Sequence, residues 1–191
     1  GSDTRVERVH IAANLRHDTL DDVVTEAWLA NPASALPIGK DAPAMPHEQL
    51  AFLYRLAQHR KAQREVVRGK PENFNRPDYN FRVNTLEGQA PKGDERVEIS
   101  QRHRSAPLDL MVAEAMILAN STWGQWLASL GVPGIYRSQA SLAPGIKVRM
   151  GTKPLPHAGM GVGCYAWCTS PLRRYADLVN LWQILACVRQ G

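Results

Sequence analysis

Apolar residues recur along the chain at two spacings, and clusters of proline and glycine divide it into segments. From Arg5 to Leu15 the loose alternation of Val6, Val9 and Ile11 with polar positions predicts a strand. Asp18 to Leu29 predicts a helix with Asp18 as its N-cap, because a carboxylate there can accept from a first-turn N–H. The stretch Asn31 to Pro46 holds four prolines and one glycine, and is expected to be a loop or linker (31–46). Pro46 then stands where a first helical residue should, with Glu48 in the first turn, and the predicted helix runs to about Arg68 before Gly69 and Pro71 end it. Leu50, Leu53 and Ala57 would face a core. Arg60, Arg64 and Arg68 recur at four-residue steps as a basic stripe, which either touches a nucleic-acid backbone or is a solvated helix face.

Farther along, Phe81 to Val83 and Arg96 to Arg102 predict short strands. Ser105 as cap and Pro107 in the first turn open a long helix that Gly131 and Pro133 stop, with Leu108, Met111, Val112, Ala115, Leu118 and Ala119 on the predicted inner face. Glu114 falls close to that face. A carboxylate there is costly unless paired, so it is either a satisfied core acid or a ligand-facing one. Ile146 to Met150 predicts another strand, followed by a Gly/Pro-rich loop through His157 and Gly163. Thr169 and Pro171 suit the N-cap and first position of a last helix. The fold class expected is α+β, with helices packed on a mixed or antiparallel sheet. No internal repeat is evident.

Composition sharpens this picture. The chain has 191 residues, 44% of them hydrophobic and 21% charged, which places it among globular rather than disordered sequences. Lys+Arg number 23 against 18 Asp+Glu, for a formal charge of +5 and a pI near 9.3. That balance suits a polyanion without requiring one, since neutralising phosphates releases counterions. Cys164, Cys168 and Cys187 show no dense spacing, and there is no secretory h-region or long apolar run, so a reducing cytoplasm and no membrane partner are expected. Cys164 and Cys168 with His157 match no strong zinc pattern and are expected to be buried inert thiols. Gly1-Ser2, with no initiator Met, reads as the scar of a removed tag, and the closing run to Gly191 lacks a firm stop signal, so both ends read as cuts.

The candidate chemistry lies in Thr169-Ser170-Pro171-Leu172-Arg173-Arg174-Tyr175-Ala176-Asp177. On the predicted helix both arginines would fall in the first turn, where the dipole disfavours cations. Such placement makes sense if a phosphate occupies the site, through bidentate Arg–phosphate contact. The alternative is that Asp177 pairs with Arg173 or Arg174 and the arginines are structural.

The stretch Tyr165 to Asn180 resembles the Thr-Ser-Pro-Ile-Arg-Arg-Tyr-Ala-Asp signature of the RNB (ribonuclease II/R) exoribonucleases. Ala113 to Asn120, Ile135-Tyr136-Arg137 and His157-Ala158-Gly159-Met160-Gly161 are each similar to a family segment in the same order, with a weaker likeness over Asn14 to Val24. The resemblance implies 3′→5′ hydrolysis of single-stranded RNA to nucleoside monophosphates, with two Mg²⁺ ions held by an aspartate cluster. It implies that Arg173 is the catalytic arginine at the scissile phosphate and that Glu114 meets the ribose of the terminal nucleotide. Arg174, Tyr136, Arg137 and His17 are the further substrate-binding candidates. His17 stands where family members place a base-stacking tyrosine, and would stack less strongly.

One departure bears on activity. The family's aspartate cluster precedes every matched segment, and Asp18, Asp21 and Asp22 read as cap and surface acids. The chain is thus expected to be the C-terminal part of an RNB catalytic domain (1–191), lacking its N-terminal half. By itself it should bind no catalytic metal and hydrolyse nothing. The competing expectation is a non-catalytic RNA-binding or interaction protein with a degenerate RNB domain. A DNA-binding helical domain draws only on charge and helix content.

Overall fold

Thr25 caps the short helix that follows it. Its hydroxyl accepts from the backbone N–H of Trp28 at 3.2 Å, and α1 spans Glu26–Ala30. The helix predicted from Asp18 to Leu29 is therefore not continuous among the described residues: Leu20 is helical, a turn follows, and helix resumes at Glu26. Leu20 opens a turn closed by the Val24 N–H at 2.8 Å, and the β-branched run Val23-Val24-Thr25 disfavours a continuous helix through it. The computed structural model describes residues 3–11, 20–21, 23–31, 47–72, 78–83, 92–93, 95–102 and 106–190. Asp18, Asp22, His17 and nearly all of the 31–46 linker lie outside them. Over 3–11 the predicted strand does not form, and Val6, Val9 and Ile11 are exposed. Among the described residues no strand pairs with this segment.

Helix α2 spans His47–Arg68 and ends as predicted at Gly69, whose φ of 74° suits a residue without Cβ. Pro46 lies outside the described residues. Leu50, Ala51 and Ala57 are buried, whereas Leu53 is turned outward. This face packs with Val24, Trp28, Leu29, Leu108 and Met111 into one core. His47 Nε2 meets the Trp28 carbonyl at 2.9 Å, tying α1 to the start of α2.

Strands β1 (Asp78–Val83) and β2 (Val97–Arg102) pair antiparallel from Asp78↔Arg102 to Val83↔Val97. Helix α3 follows over Pro107–Ser129. Its N-cap is Ala106, which offers no side-chain bond, and Ser105 lies outside the described residues. The buried positions step by three or four through Leu108, Met111, Glu114, Ile117, Asn120, Gly124 and Leu127. Val112, Ala115 and Leu118 of the predicted inner face point outward instead. Hydropathy misplaces the face because two of the true inner residues, Glu114 and Asn120, are polar and find partners inside.

Strands β3 (Tyr136–Ser138) and β4 (Arg149–Gly151) form a second antiparallel ribbon, so the strand predicted from Ile146 begins later. Tyr136 also bridges Ala166. Leu127, Tyr136, Cys164, Ala166, Cys168 and Ile184 make the second core. Helix α4 spans Tyr175–Gln190, which corrects the predicted start at Thr169 and Pro171. Pro171 to Arg173 form a turn in which the Ser170 carbonyl accepts from the N–H groups of Arg173 at 3.2 Å and Arg174 at 3.1 Å. Both arginines therefore precede the helix rather than fill its first turn. The described residues make an α+β fold of helices with two small antiparallel ribbons.

Candidate functional site

Two buried asparagines hold the segment 165–169 in place. Asn120, on α3, receives the Cys168 N–H on its Oδ1 at 2.9 Å and donates to the Tyr165 hydroxyl at 3.1 Å. Its backbone carbonyl accepts from the Ala166 N–H at 3.2 Å. Asn180, on α4, accepts from the Ile135 N–H at 2.7 Å and donates to the carbonyls of Ile135 and Trp167, both at 2.8 Å. Each amide thus supplies the pairing that a missing strand neighbour would otherwise provide. Gly124 permits the close approach: a Cβ there would lie 3.1 Å from the Ala166 nitrogen and 3.2 Å from the Cys164 sulfur.

On this platform the arginines separate into distinct roles. Arg174 donates to the Asp177 carboxylate at 2.7 Å, and the same oxygen accepts from the Ser170 N–H at 2.8 Å. Asp177 is fully buried in the first turn of α4, where the dipole favours an anion. It closes the turn onto the helix. The pairing that the sequence left open is thus with Arg174. Arg173 is exposed, and its side chain makes no ion pair with any described residue. The adjacent Leu172 is also turned into solvent.

Trp167 gathers two guanidiniums. The Cζ of Arg137 lies 4.1 Å from the ring centre and that of Arg174 4.2 Å, both within cation–π range. Arg137 stands on β3 and its N–H is bonded to the Tyr165 carbonyl at 2.8 Å. Burial, and then repulsion from Arg174, push its pKa below the ordinary value, with Tyr165 opposing. Nε of Arg137 and Nε of Arg174 are buried and have no partner among the described residues. Tyr136, the neighbouring candidate, is instead 2% exposed in the core, and burial raises its pKa. Its ring faces the interior.

Glu114 is the satisfied core acid of the two alternatives. Arg64, from α2, donates Nε to one of its oxygens at 3.0 Å and Nη2 to the other. Arg64 also reaches Glu72 at 2.9 Å and the Met160 carbonyl at 2.7 Å, while Arg68 reaches the Gly159 carbonyl at 3.1 Å. Burial works against the Arg64 charge, but Glu114 and Glu72 outweigh it and push its pKa up. The basic stripe is therefore neither a solvated face nor a free nucleic-acid contact at Arg64 and Arg68. It anchors the loop 157–161. Gly161 has φ of 63°, and a Cβ there would run into the Arg64 carbonyl.

His157 closes the same loop. Its Nδ1 accepts from the Met160 N–H at 3.2 Å, and its ring meets Tyr165 edge-on at 5.6 Å. Burial first, and then Arg137, hold its pKa below the ordinary value. Cys164 and Cys168 are buried free thiols. Burial, and next the Asp177 charge, push the Cys168 thiol up to about 12. Among the described residues no three His, Cys, Asp or Glu side chains assemble into a group fit for a metal ion. No helix among them is long and apolar enough to cross a membrane.

The structure brings Arg137 and Arg174 to one ring, with Arg173 exposed next to Arg174 in the chain, and leaves Glu114 and Tyr136 in the interior. His17 lies outside the described residues. Sequence reasoning missed Trp167, Asn120, Asn180 and the partner role of Arg64. The available signal was polar residues at helical spacing within apolar runs, as at Asn120 and Asn180.

Comparison with known proteins gives five findings. The family model described as RNB domain matches residues 8–145 and 145–190. The chain is 31% identical over 155 residues to the uncharacterized ribonuclease sll1290 of Synechocystis, covering 70% of this chain and 21% of that protein. Over 31 residues it is 52% identical to exoribonuclease 2 of Vibrio parahaemolyticus, covering 16% of this chain and 5% of that one. Among solved structures it is similar to an active-site mutant of the Dss1 exoribonuclease from Candida glabrata, with a TM-score of 0.66 at 19% identity, covering 89% of this chain and 25% of that one. It is also similar to Mycoplasma genitalium RNase R in complex with double-stranded RNA, with a TM-score of 0.57 at 16% identity, covering 83% of this chain and 35% of that one. The chain spans about a fifth of the length of the Synechocystis relative.

Proposed function

The chain belongs to the RNB-domain family, and from that premise we propose that the protein carrying it is a 3′→5′ exoribonuclease that hydrolyses single-stranded RNA to nucleoside monophosphates. The observation that carries this reading is the division of labour between adjacent arginines. Arg174 already donates one N–H to Asp177 and lies over Trp167, whereas Arg173 projects exposed from a turn closed onto Ser170. A planar guanidinium so offered suits bidentate contact with a phosphodiester and stabilises charge that develops on its oxygens during displacement.

The chain's other residues serve binding and rigidity. Arg137 adds positive charge beside the phosphate path. Glu114, held by Arg64, keeps α2, α3 and the loop 157–161 in register and is assigned no contact with a ribose. In the intact protein an aspartate cluster N-terminal to the matched segments would hold two Mg²⁺ ions, which would supply an activated water. The chain alone is accordingly assigned no hydrolytic activity, and the intact protein is assigned to the cytoplasm.

The test is Mg²⁺-dependent shortening of a 5′-labelled single-stranded RNA by the full-length protein that carries this chain, beside its Arg173→Ala variant. The expected result is stepwise 3′ shortening by the parent and a kcat lower by about 10²–10³ in the variant, the scale of losing one donor to a developing charge. A parent that binds RNA without shortening it would replace this reading with that of a non-catalytic RNA-binding protein.

A further inference from the structure

We propose that Trp167 is a positioning residue, which uses its ring to hold Arg137 and Arg174 together as a paired contact for the phosphate backbone of single-stranded RNA. This deepens the function proposed above and rests on it only for the identity of the polyanion.

Two like charges near one ring repel: Arg174 is among the groups that depress the Arg137 pKa, and the distances of 4.1 Å and 4.2 Å to the ring centre put the pair no farther apart than roughly one Debye length at physiological salt. Only Arg174 has a carboxylate, Asp177, among the described residues. Arg137 has none. A ring quadrupole offsets part of this repulsion, on the order of 0.5–2 kcal/mol per contact, but it gives the N–H edges of neither guanidinium a partner. The buried Nε atoms of both remain donors without acceptors among the described residues. A structural role would be served as well by one arginine; two, with Arg173 close by in sequence, make a concentration of donors that an anion completes.

The backbone explains why the ring holds its place. The Trp167 carbonyl is bonded to Asn180 and the next N–H to Asn120, while Arg137 is bonded to Tyr165, two residues before the tryptophan. Ring and guanidinium are thus carried on paired segments whose register is set by α3 and α4. The indole then fixes side chains that would otherwise sample many rotamers, lowering the ordering cost of binding.

The test measures binding of a fluorescein-labelled oligoadenylate to the full-length protein in EDTA, where no hydrolysis occurs, across a salt series. Trp167→Leu should weaken binding about ten-fold and flatten the slope of log Kd against log salt by about 0.7, one phosphate contact on a single strand. Trp167→Phe should keep most of the affinity. Arg137→Gln should reproduce much of the loss, and the double variant Trp167→Leu with Arg137→Gln should be no weaker than Trp167→Leu alone, because the ring acts through the arginines it holds. Unchanged affinity and slope in Trp167→Leu, or additive losses in the double variant, would overturn the proposal. Normal binding by Arg137→Gln would do so even if Trp167→Leu failed to fold. A parent that binds and shortens RNA while Trp167→Leu binds equally well removes this inference and leaves the exoribonuclease standing. A parent that binds through Trp167 without cutting removes the exoribonuclease and leaves the inference, and a parent that does not bind the oligonucleotide removes both.

Discussion

Arg64 on α2 and Glu114 on α3 pair through both carboxylate oxygens, in an interior where the two side chains are 5% and 4% exposed. Removing Glu114 leaves Arg64 with Glu72 and the Met160 carbonyl, so the cost falls at the low end of the roughly 3–5 kcal/mol of a stranded buried charge. Glu114→Ala is therefore expected to lower the melting temperature by roughly 10 °C, at about 2–4 °C per kcal/mol for a chain of this size. Replacing both residues, as Arg64→Met with Glu114→Leu, should recover much of that loss. Calorimetry of the two variants decides the matter: a single change that melts with the wild type means the pair is dispensable.

Asn180 serves three backbone groups with one amide. Asn180→Ala leaves the Ile135 N–H and two carbonyls without their partner, and each stranded group costs on the order of 1–3 kcal/mol. The expected result is a loss of roughly 2–4 kcal/mol in denaturant unfolding, together with faster amide hydrogen exchange at Ile135. Exchange at Ile135 matching the wild-type rate would show that this amide is protected by something other than the asparagine.

His157 makes stability depend on pH. Burial and the Arg137 charge depress its folded pKa below the ordinary 6.5, so the ring stays neutral in the folded chain where the unfolded chain already takes up a proton. Its contribution is intact above about 6.5 and is lost as the pH falls from there toward the lower folded value. The melting temperature of the wild type should therefore drop more steeply between roughly pH 7 and pH 5 than that of His157→Gln. Parallel pH profiles for the two would count against it.

The thiols should differ in reactivity. Burial raises the pKa of Cys164 and, with Asp177, takes Cys168 up to about 12, and thiolate is the reactive form. Cys187 is only partly buried. Titration with a disulfide reagent near neutral pH should modify Cys187 first, and all three only after denaturation. Rapid labelling of Cys168 in the folded protein would contradict its placement.

Breakers and short-range pattern by themselves determined the α+β class, the helix over α2 with its stop at Gly69, the two strands that become β1 and β2, and the arginine pair before Tyr175. These depend on local φ preferences and on periodicities that any amphipathic element must carry. The family resemblance lay in the same local runs. Tertiary structure alone decided which face of α3 turns inward, because Glu114 and Asn120 are tolerated inside only where Arg64, Tyr165 and the Cys168 N–H meet them. It also decided where α4 begins, since Pro171 fits a helix start and a turn equally well, and the buried Asp177 bonded to Ser170 and Arg174 selects the turn. Trp167 gained its neighbours in the same way. Arg137 and Arg174 lie far apart along the chain, and only the pairing of β3 with the segment before the motif brings both guanidiniums to one ring. Partners across such distances are set by packing and by the satisfaction of buried polar groups, which no local pattern records.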